Sequence, residues 1–262
     1  MPNIANQRQR KPEIPTTRRN KQKGATNMRI SIVDWTHQFL QQYIKPGDLV
    51  VDATMGNGGD TLFLANLVHA AIVTDSTPAN KESASVIAFD VQELALTNTR
   101  DKLAKHGFTS ETIVAPDDSE QKRDEVNKLN MSEKAEIVNQ STNNESITAT
   151  LILDSHANML NYVEEESAQA VVFNLGYLPG GDHSKATHAE STIPAIEAAL
   201  NAIKRGGVIS ICIYSGGDSG FEEKNQVLEY LKTLDQRKYL VVKNEFYNKP
   251  NNPPIPVFIV KL

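Results

Sequence analysis

Residues 49–61 read LVVDATMGNGGDT. Leu49-Val50-Val51 is an apolar run of strand length, too short for a helix. Asp52 ends it, Gly56-Asn57-Gly58 follows, and from Gly59 or Asp60 a helix is expected through about Ala70. A strand, a glycine-bearing turn and a helix, in that order, form the opening unit of a doubly wound sheet, where ligands sit outside the carboxyl ends of the strands. Glycine lets the backbone approach a ligand closely. A tight strand-to-helix turn with no ligand has the same Gly-x-Gly, so the rest of the chain must decide.

Working outward, apolar residues at 30, 32, 33, 35, 39, 40, 43 and 44 have helical spacing, which Lys45-Pro46-Gly47-Asp48 ends. Further strands are expected at 86–89, 151–153, 170–173, 208–213, 240–246 and 257–261, with helices at 92–106, 192–204 and 222–234. Residues 113–115 read either as a stray short strand or as part of an insertion. Alternating strands and helices predict an α/β fold, a doubly wound, mostly parallel, Rossmann-like sheet of seven strands. The last two strands are joined by a short link, which favours a C-terminal antiparallel pair.

The remaining stretches are polar. Residues 74–85 and 116–148 lack periodicity and read as exposed insertions in a domain spanning 29–262. Residues 1–28 form an arm. Within it, residues 1–24 carry Arg8, Arg10, Lys11, Arg18, Arg19, Lys21 and Lys23 against Glu13, a balance of +6. The whole chain is −5, so the rest is −11. A basic arm on an acidic body recurs in nucleic-acid binders, and a solubilising leader without a partner has the same composition. The arm is poor in large apolar residues and is expected to be disordered when free. One cysteine excludes an intrachain disulfide and suits a reducing, cytoplasmic setting. No apolar run reaches the ~18 residues of a membrane span, and no secretory h-region opens the chain.

Asp52, Asp90, Asp154 and Asn174 each follow directly on an apolar run, so the fold gathers them on one rim. Asp52 would repel a phosphate and attract a cation. S-adenosylmethionine, with a sulfonium and an ammonium, suits such a turn. Asp90 can accept hydrogen bonds from ribose hydroxyls or cap the next helix. It lies 32 residues after Gly58; without the 12 polar residues of 74–85 the interval returns to the usual ~20. Asp154 or Ser155 can meet the adenine edge. His156 reads equally as a packing or a catalytic residue.

Residues 171–185, VVFNLGYLPGGDHSK, end a strand in an amide. Asn174 has a carbonyl oxygen that can accept from an amine, and Tyr177 can wall the pocket. Asn-Leu-Gly-Tyr is similar to the Asn/Asp-Pro-Pro-Tyr loop of amine-methylating enzymes, with Pro179 and Gly180-Gly181 setting the geometry instead of two prolines. A plain exit loop is the alternative. His183 can take a proton. His183, His188 and Asp182 match no common zinc spacing, and no metal is expected. Cys212 reads most simply as a core residue, and 214–218 as a border of the acceptor pocket. His37, on the first helix, can reach the rim but reads more simply as a satisfied core histidine.

DATMGNGGDTLFLA, FDVQELAL, LILDSH, FNLGYLPGGDHS, IYSGGDSGFEEK and NKPNNPP together resemble a bacterial family labelled rRNA methylases, class I S-adenosylmethionine-dependent methyltransferases. Its characterised members methylate the aminomethyl group of the tRNA wobble uridine, completing 5-methylaminomethyl(-2-thio)uridine. The resemblance runs from about Ile30 to Leu262, leaving out the arm and both insertions. It implies a cofactor turn of Asp52, Thr54, Gly56, Asn57, Gly58, Asp60 and Thr61, a ribose end at Asp90 and Gln92, and an adenine end at Asp154, Ser155 and His156. It also implies an acceptor loop of Asn174, Gly176, Tyr177 and Pro179. The expected partner is tRNA, with no membrane; a homodimer is left open, since nothing in the sequence fixes the oligomeric state. Three other readings stand beside this one: an rRNA methyltransferase, a nicotinamide-dependent oxidoreductase, and a non-catalytic nucleotide-binding module.

Overall fold

The computed structural model describes residues 31–70, 85–115, 148–182, 187–214 and 217–262. All belong to the unit Ser31–Leu262, into which the chain divides after Ile30. The basic arm, the bulk of both polar insertions and His183 lie outside the described residues.

Eight strands form one sheet in the order β3-β4-β2-β1-β5-β6-β8-β7. They are β1 (Leu49–Asp52), β2 (Ser85–Asp90), β3 (Ser110–Val114), β4 (Ala149–Leu153), β5 (Ala168–Leu175), β6 (Ile203–Ile213), β7 (Tyr239–Lys243) and β8 (Ile255–Lys261). The first six run parallel, and β8 pairs antiparallel with both β6 and β7. The architecture is the expected one with an additional strand. That strand is β3, at the sheet edge and only half covered, so its sequence lacks the continuous apolar run that marks its buried neighbours.

Five α-helices flank the sheet: α1 (Ile32–Leu40), α2 (Gly59–Val68), α3 (Glu93–Lys105), α4 (Ala189–Ala202) and α5 (Gly217–Lys232), with a 3-10 helix at His156–Asn161. Helix α1 is shorter than its apolar spacing suggests, because the chain breaks into turns after Leu40 before Pro46 is reached. Ser31 and Asp34 close its N-terminus as a reciprocal capping box.

Each sheet face is buried under helices. Val51, Phe89, Phe173 and Ile211 belong to the core on the α4–α5 side. Val50, Ala88, Val172 and Val208 belong to the core on the α1–α3 side. Side chains alternate along a strand, so Asp52, Asp90, Asn174 and Cys212 share the α1–α3 face. The strand order reverses between β1 and β5, where Asp52 pairs with Val172. That switch point is where an open parallel sheet leaves a crevice.

Candidate active site

Two residues past the last β1–β5 pair, Asn174 comes alongside Thr54, and its backbone N–H donates to the Thr54 hydroxyl at 2.7 Å. The Asn174 side chain points at the start of α2. Its Nδ2 donates to Asp60 Oδ2 at 3.0 Å. A carboxylate only accepts, so Asp60 fixes which end of the amide faces it. The amide carbonyl, Oδ1, is buried and has no partner among the described residues. An orphaned buried acceptor costs about 1–3 kcal/mol unless a ligand supplies a donor.

His37 completes this group. Its Nε2 lies 2.7 Å from the other Asp60 oxygen, and its ring stacks on Phe63 with centroids 3.6 Å apart. His37 is therefore a partner of the rim rather than the plain core histidine its position suggests. Cys212 pairs with Asn174 in the β5–β6 register. Burial, helped by the Asp60 charge, pushes its thiol up to about 12. Burial also pushes the Tyr214 phenol up to about 12, with Cys212 and Asp60 adding to the effect. Both groups are neutral at physiological pH and serve as walls rather than bases.

The glycine turn is built as its sequence predicts. Gly58 has φ +71 and sets the start of α2 against α3; a Cβ there would meet the Thr99 backbone at 2.9 Å. Asp90 ties the turn to the second strand, accepting from Gly56 N at 3.1 Å and from Gln92 N at 3.0 Å. Asp52 is fully buried and accepts from Thr61 Oγ1 at 2.6 Å and Thr54 N at 3.1 Å. Burial first, then the Asp60 charge, raises its carboxyl to about 7. Asn57 reaches the acceptor loop, with Nδ2 3.4 Å from the Pro179 carbonyl, and takes a bond from Asn98 Nδ2 at 2.8 Å.

The other expected residues have structural partners too. Gln92 Oε1 accepts from Asp182 N at 3.0 Å, pinning the end of the acceptor loop. Asp154 accepts from Ser155 N at 2.6 Å, Asn158 Nδ2 at 2.8 Å and Tyr162 OH at 2.9 Å. Ser155 caps the 3-10 helix. His156 bonds the Ala53 carbonyl at 3.0 Å and packs edge-on to Phe173; burial lowers its pKa, so the ring is neutral and structural. Tyr177 is 55% exposed at the mouth of the crevice.

One residue escaped the sequence reading. Glu223, in α5, is 5% exposed. It accepts from Thr192 Oγ1 at 2.7 Å and from Thr187 Oγ1 at 3.0 Å. Thr187 in turn accepts from Gly176 N at 2.9 Å. A buried carboxylate thus fastens the acceptor loop to α5.

The crevice offers acceptors: carboxylates at Asp60, Asp90 and Asp154 and the orphaned amide carbonyl of Asn174. That set suits a cation with hydroxyl and amine donors and repels a phosphate. Bound S-adenosylmethionine supplies a methyl group on a positively charged sulfur, and the acceptor-rich, acidic chemistry of the crevice fits it. Among the described residues, no group of three or more His, Cys, Asp or Glu could hold a metal ion. No helix among them is long and apolar enough to cross a membrane.

Fold and site define an S-adenosylmethionine-dependent methyltransferase of the Rossmann-like kind. The family model "Putative rRNA methylase" matches residues 125–260. A chloroplastic tRNA (mnm5s2U34)-methyltransferase of Arabidopsis thaliana is 30% identical over 226 residues, which is 86% of this chain and 67% of that one. Among solved structures, a putative rRNA methylase from Clostridium thermocellum is 37% identical, with a TM-score of 0.67 over 89% of this chain and 98% of its own. A putative methyltransferase from Streptococcus mutans, in complex with SAH, is 32% identical, with a TM-score of 0.63 over 88% and 97%. The chain belongs to this rRNA-methylase family. Its membership sets aside the readings as a nicotinamide-dependent oxidoreductase and as a non-catalytic module.

Proposed function

We propose that the protein transfers the methyl of S-adenosylmethionine to the primary amine of 5-aminomethyl(-2-thio)uridine at the tRNA wobble position, giving the 5-methylaminomethyl product. The observation that carries this reading is the buried Asn174 Oδ1, left open because Asp60 holds Nδ2. An amine N–H can fill it. That bond would aim the nitrogen lone pair at the methyl. Positioning dominates such a reaction, because the leaving group is already activated. The Arabidopsis relative's name points to the same acceptor.

In this reading Asp52, Thr54, Gly56, Gly58 and Thr61 shape the cofactor turn, Asp90 faces the ribose, and Asp154 and Ser155 border the adenine. Asn57 and Gln92 hold the acceptor loop over that turn. Asp60 belongs to the acceptor side. His156 supports the floor from behind. Asn174 and Tyr177 meet the substrate. The nitrogen attacks as the free amine, and the methylated ammonium gives its proton to water or to the loop's own His183. The single cysteine suits a reducing compartment such as the cytoplasm.

The family's description favours ribosomal RNA as a second acceptor. Mass spectrometry of tRNA and rRNA nucleosides from a deletion strain separates the two. Accumulation of 5-aminomethyl(-2-thio)uridine in tRNA supports the proposal. Loss of a methylated nucleoside from rRNA alone overturns it in favour of the second acceptor.

A further inference from the structure

Five exposed aromatic side chains occur among the described residues: Trp35, Tyr177, Tyr214, Phe221 and Tyr247. All five lie on segments at the carboxyl end of the sheet. Trp35 is on α1, two residues before the His37 that reaches Asp60. Tyr177 is in the loop leaving β5, and Tyr214 directly follows β6. Phe221 is near the start of α5, two residues before the Glu223 that fastens the acceptor loop. Tyr247 is in the β7–β8 loop, and the register Ile213↔Ile255 brings that loop to the carboxyl end of β6. Exposed aliphatic side chains are divided: Val91, Leu94 and Val114 share the carboxyl end, while Leu240, Val242 and Leu262 lie on β7 and at the C-terminus. Single exposed apolar residues need no explanation, but the gathering of all five exposed aromatic rings at the rim of a site does.

Tyr247 is the clearest case. It is 96% exposed, so folding gains nothing from its ring. Its loop is stiff: Pro250, Pro253 and Pro254 restrict it, and Asn251 and Asn252 take positive φ of 66° and 45°, which asparagine tolerates. A preordered loop loses little freedom on binding. Lysines lie over rings on the same segments: Lys224 Nζ is 4.9 Å over Phe221, and Lys249 Nζ is 4.5 Å over the half-buried Phe246, next to Tyr247. The centre of the rim, with Asp60, Asp90 and Asp154, repels phosphates. A nucleic acid docking there must present base faces inward, which unpaired loop nucleotides do and a duplex does not.

We propose that the β7–β8 loop, through Tyr247, stacks on an unpaired base flanking the target nucleotide of an RNA loop. This rests on the reading of the acceptor as a nucleotide in single-stranded RNA. The test uses the full chain and a fluorescent anticodon stem-loop carrying 5-aminomethyluridine, with binding read by anisotropy. Tyr247→Ala is expected to weaken binding roughly ten- to a hundredfold, the range of one lost base–aromatic stack. Tyr247→Phe should bind like the wild type. Affinity for S-adenosylhomocysteine, and methylation of the free 5-aminomethyluridine nucleoside, should not change in either variant.

Wild-type affinity in Tyr247→Ala overturns the proposal. So does a change in the sedimentation of Tyr247→Ala without RNA, with stem-loop affinity intact, which makes this rim a protein interface. If the wild type binds a ribosomal RNA hairpin rather than the anticodon stem-loop, and Tyr247→Ala weakens that binding, the stacking contact stands and the tRNA assignment fails.

Discussion

Asp60 and Asn174, 114 residues apart, meet through a 3.0 Å hydrogen bond that leaves the Asn174 carbonyl buried and open. Asp60→Asn leaves one acceptor oxygen where the carboxylate offers two, to Asn174 and to His37, so the Asn174 amide loses its fixed orientation and can turn its N–H groups toward the substrate. Methyl transfer should then fall ~100-fold, the scale of a misplaced reactant. Single-turnover rates with saturating cofactor check this, and His37→Ala should give a smaller loss of the same sign. Unchanged single-turnover transfer in Asp60→Asn would show that the amide needs no orienting partner.

Asp52 should make cofactor binding depend on pH. Its folded pKa, about 7, lies above the ordinary 3.8, chiefly because the carboxyl is buried. Between those values the folded protein holds a proton that the unfolded chain releases, so Asp52's contribution to apo stability falls as pH rises through that window. A cationic ligand favours the ionised carboxylate. Affinity for S-adenosylmethionine should therefore rise as pH crosses about 7, with proton release on binding. Calorimetry in buffers of different ionisation enthalpy measures both. Asp52→Asn should flatten the dependence.

Glu223 should behave as a positioning residue. Glu223→Ala removes the acceptor of two hydroxyl donors, buried Thr192 and half-buried Thr187, each bond to a charged group contributing about 1.5–3 kcal/mol. Thermal stability should drop, and methyl transfer should fall further than the stability loss explains. Glu223→Gln, which keeps a carbonyl acceptor, should recover much of the rate. A stability loss with unchanged turnover would limit Glu223 to the fold.

Gly58→Ala meets two obstacles together. A left-handed φ costs an L-residue roughly 1–2 kcal/mol, and the added methyl contacts the Thr99 backbone at 2.9 Å. The melting temperature should fall and S-adenosylhomocysteine affinity should fall with it. Gly59→Ala, with nothing within 4 Å of the new methyl, is the matched control.

These relationships differ in how far the sequence reveals them. The central strands are legible because both faces are buried, which leaves continuous apolar runs such as Val171–Phe173 ending in a polar residue. β3 is ambiguous because it sits at the edge with one face open. Asn174 is legible as an amide ending a buried strand. Its partnership with Asp60 and His37 is not, since it depends on how α1 packs on α2 through the His37–Phe63 stack. Glu223 lies in a stretch, FEEK, where nothing separates a buried carboxylate from a solvated neighbour. Asp154 and His156 are legible as rim residues, but their hydrogen bonds to Tyr162 and Ala53 come from tertiary packing.

The central claim is that this site methylates an amine held by Asn174. Its most direct measurement is single-turnover transfer of labelled methyl from S-adenosylmethionine to tRNA bearing 5-aminomethyluridine, with S-adenosylhomocysteine affinity measured in parallel. The account predicts label in 5-methylaminomethyluridine for the wild type, and a rate ~100-fold lower in Asn174→Ala with cofactor affinity unchanged. A wild type that leaves this tRNA unlabelled while labelling ribosomal RNA, or an Asn174→Ala variant that turns over like the wild type, would contradict it.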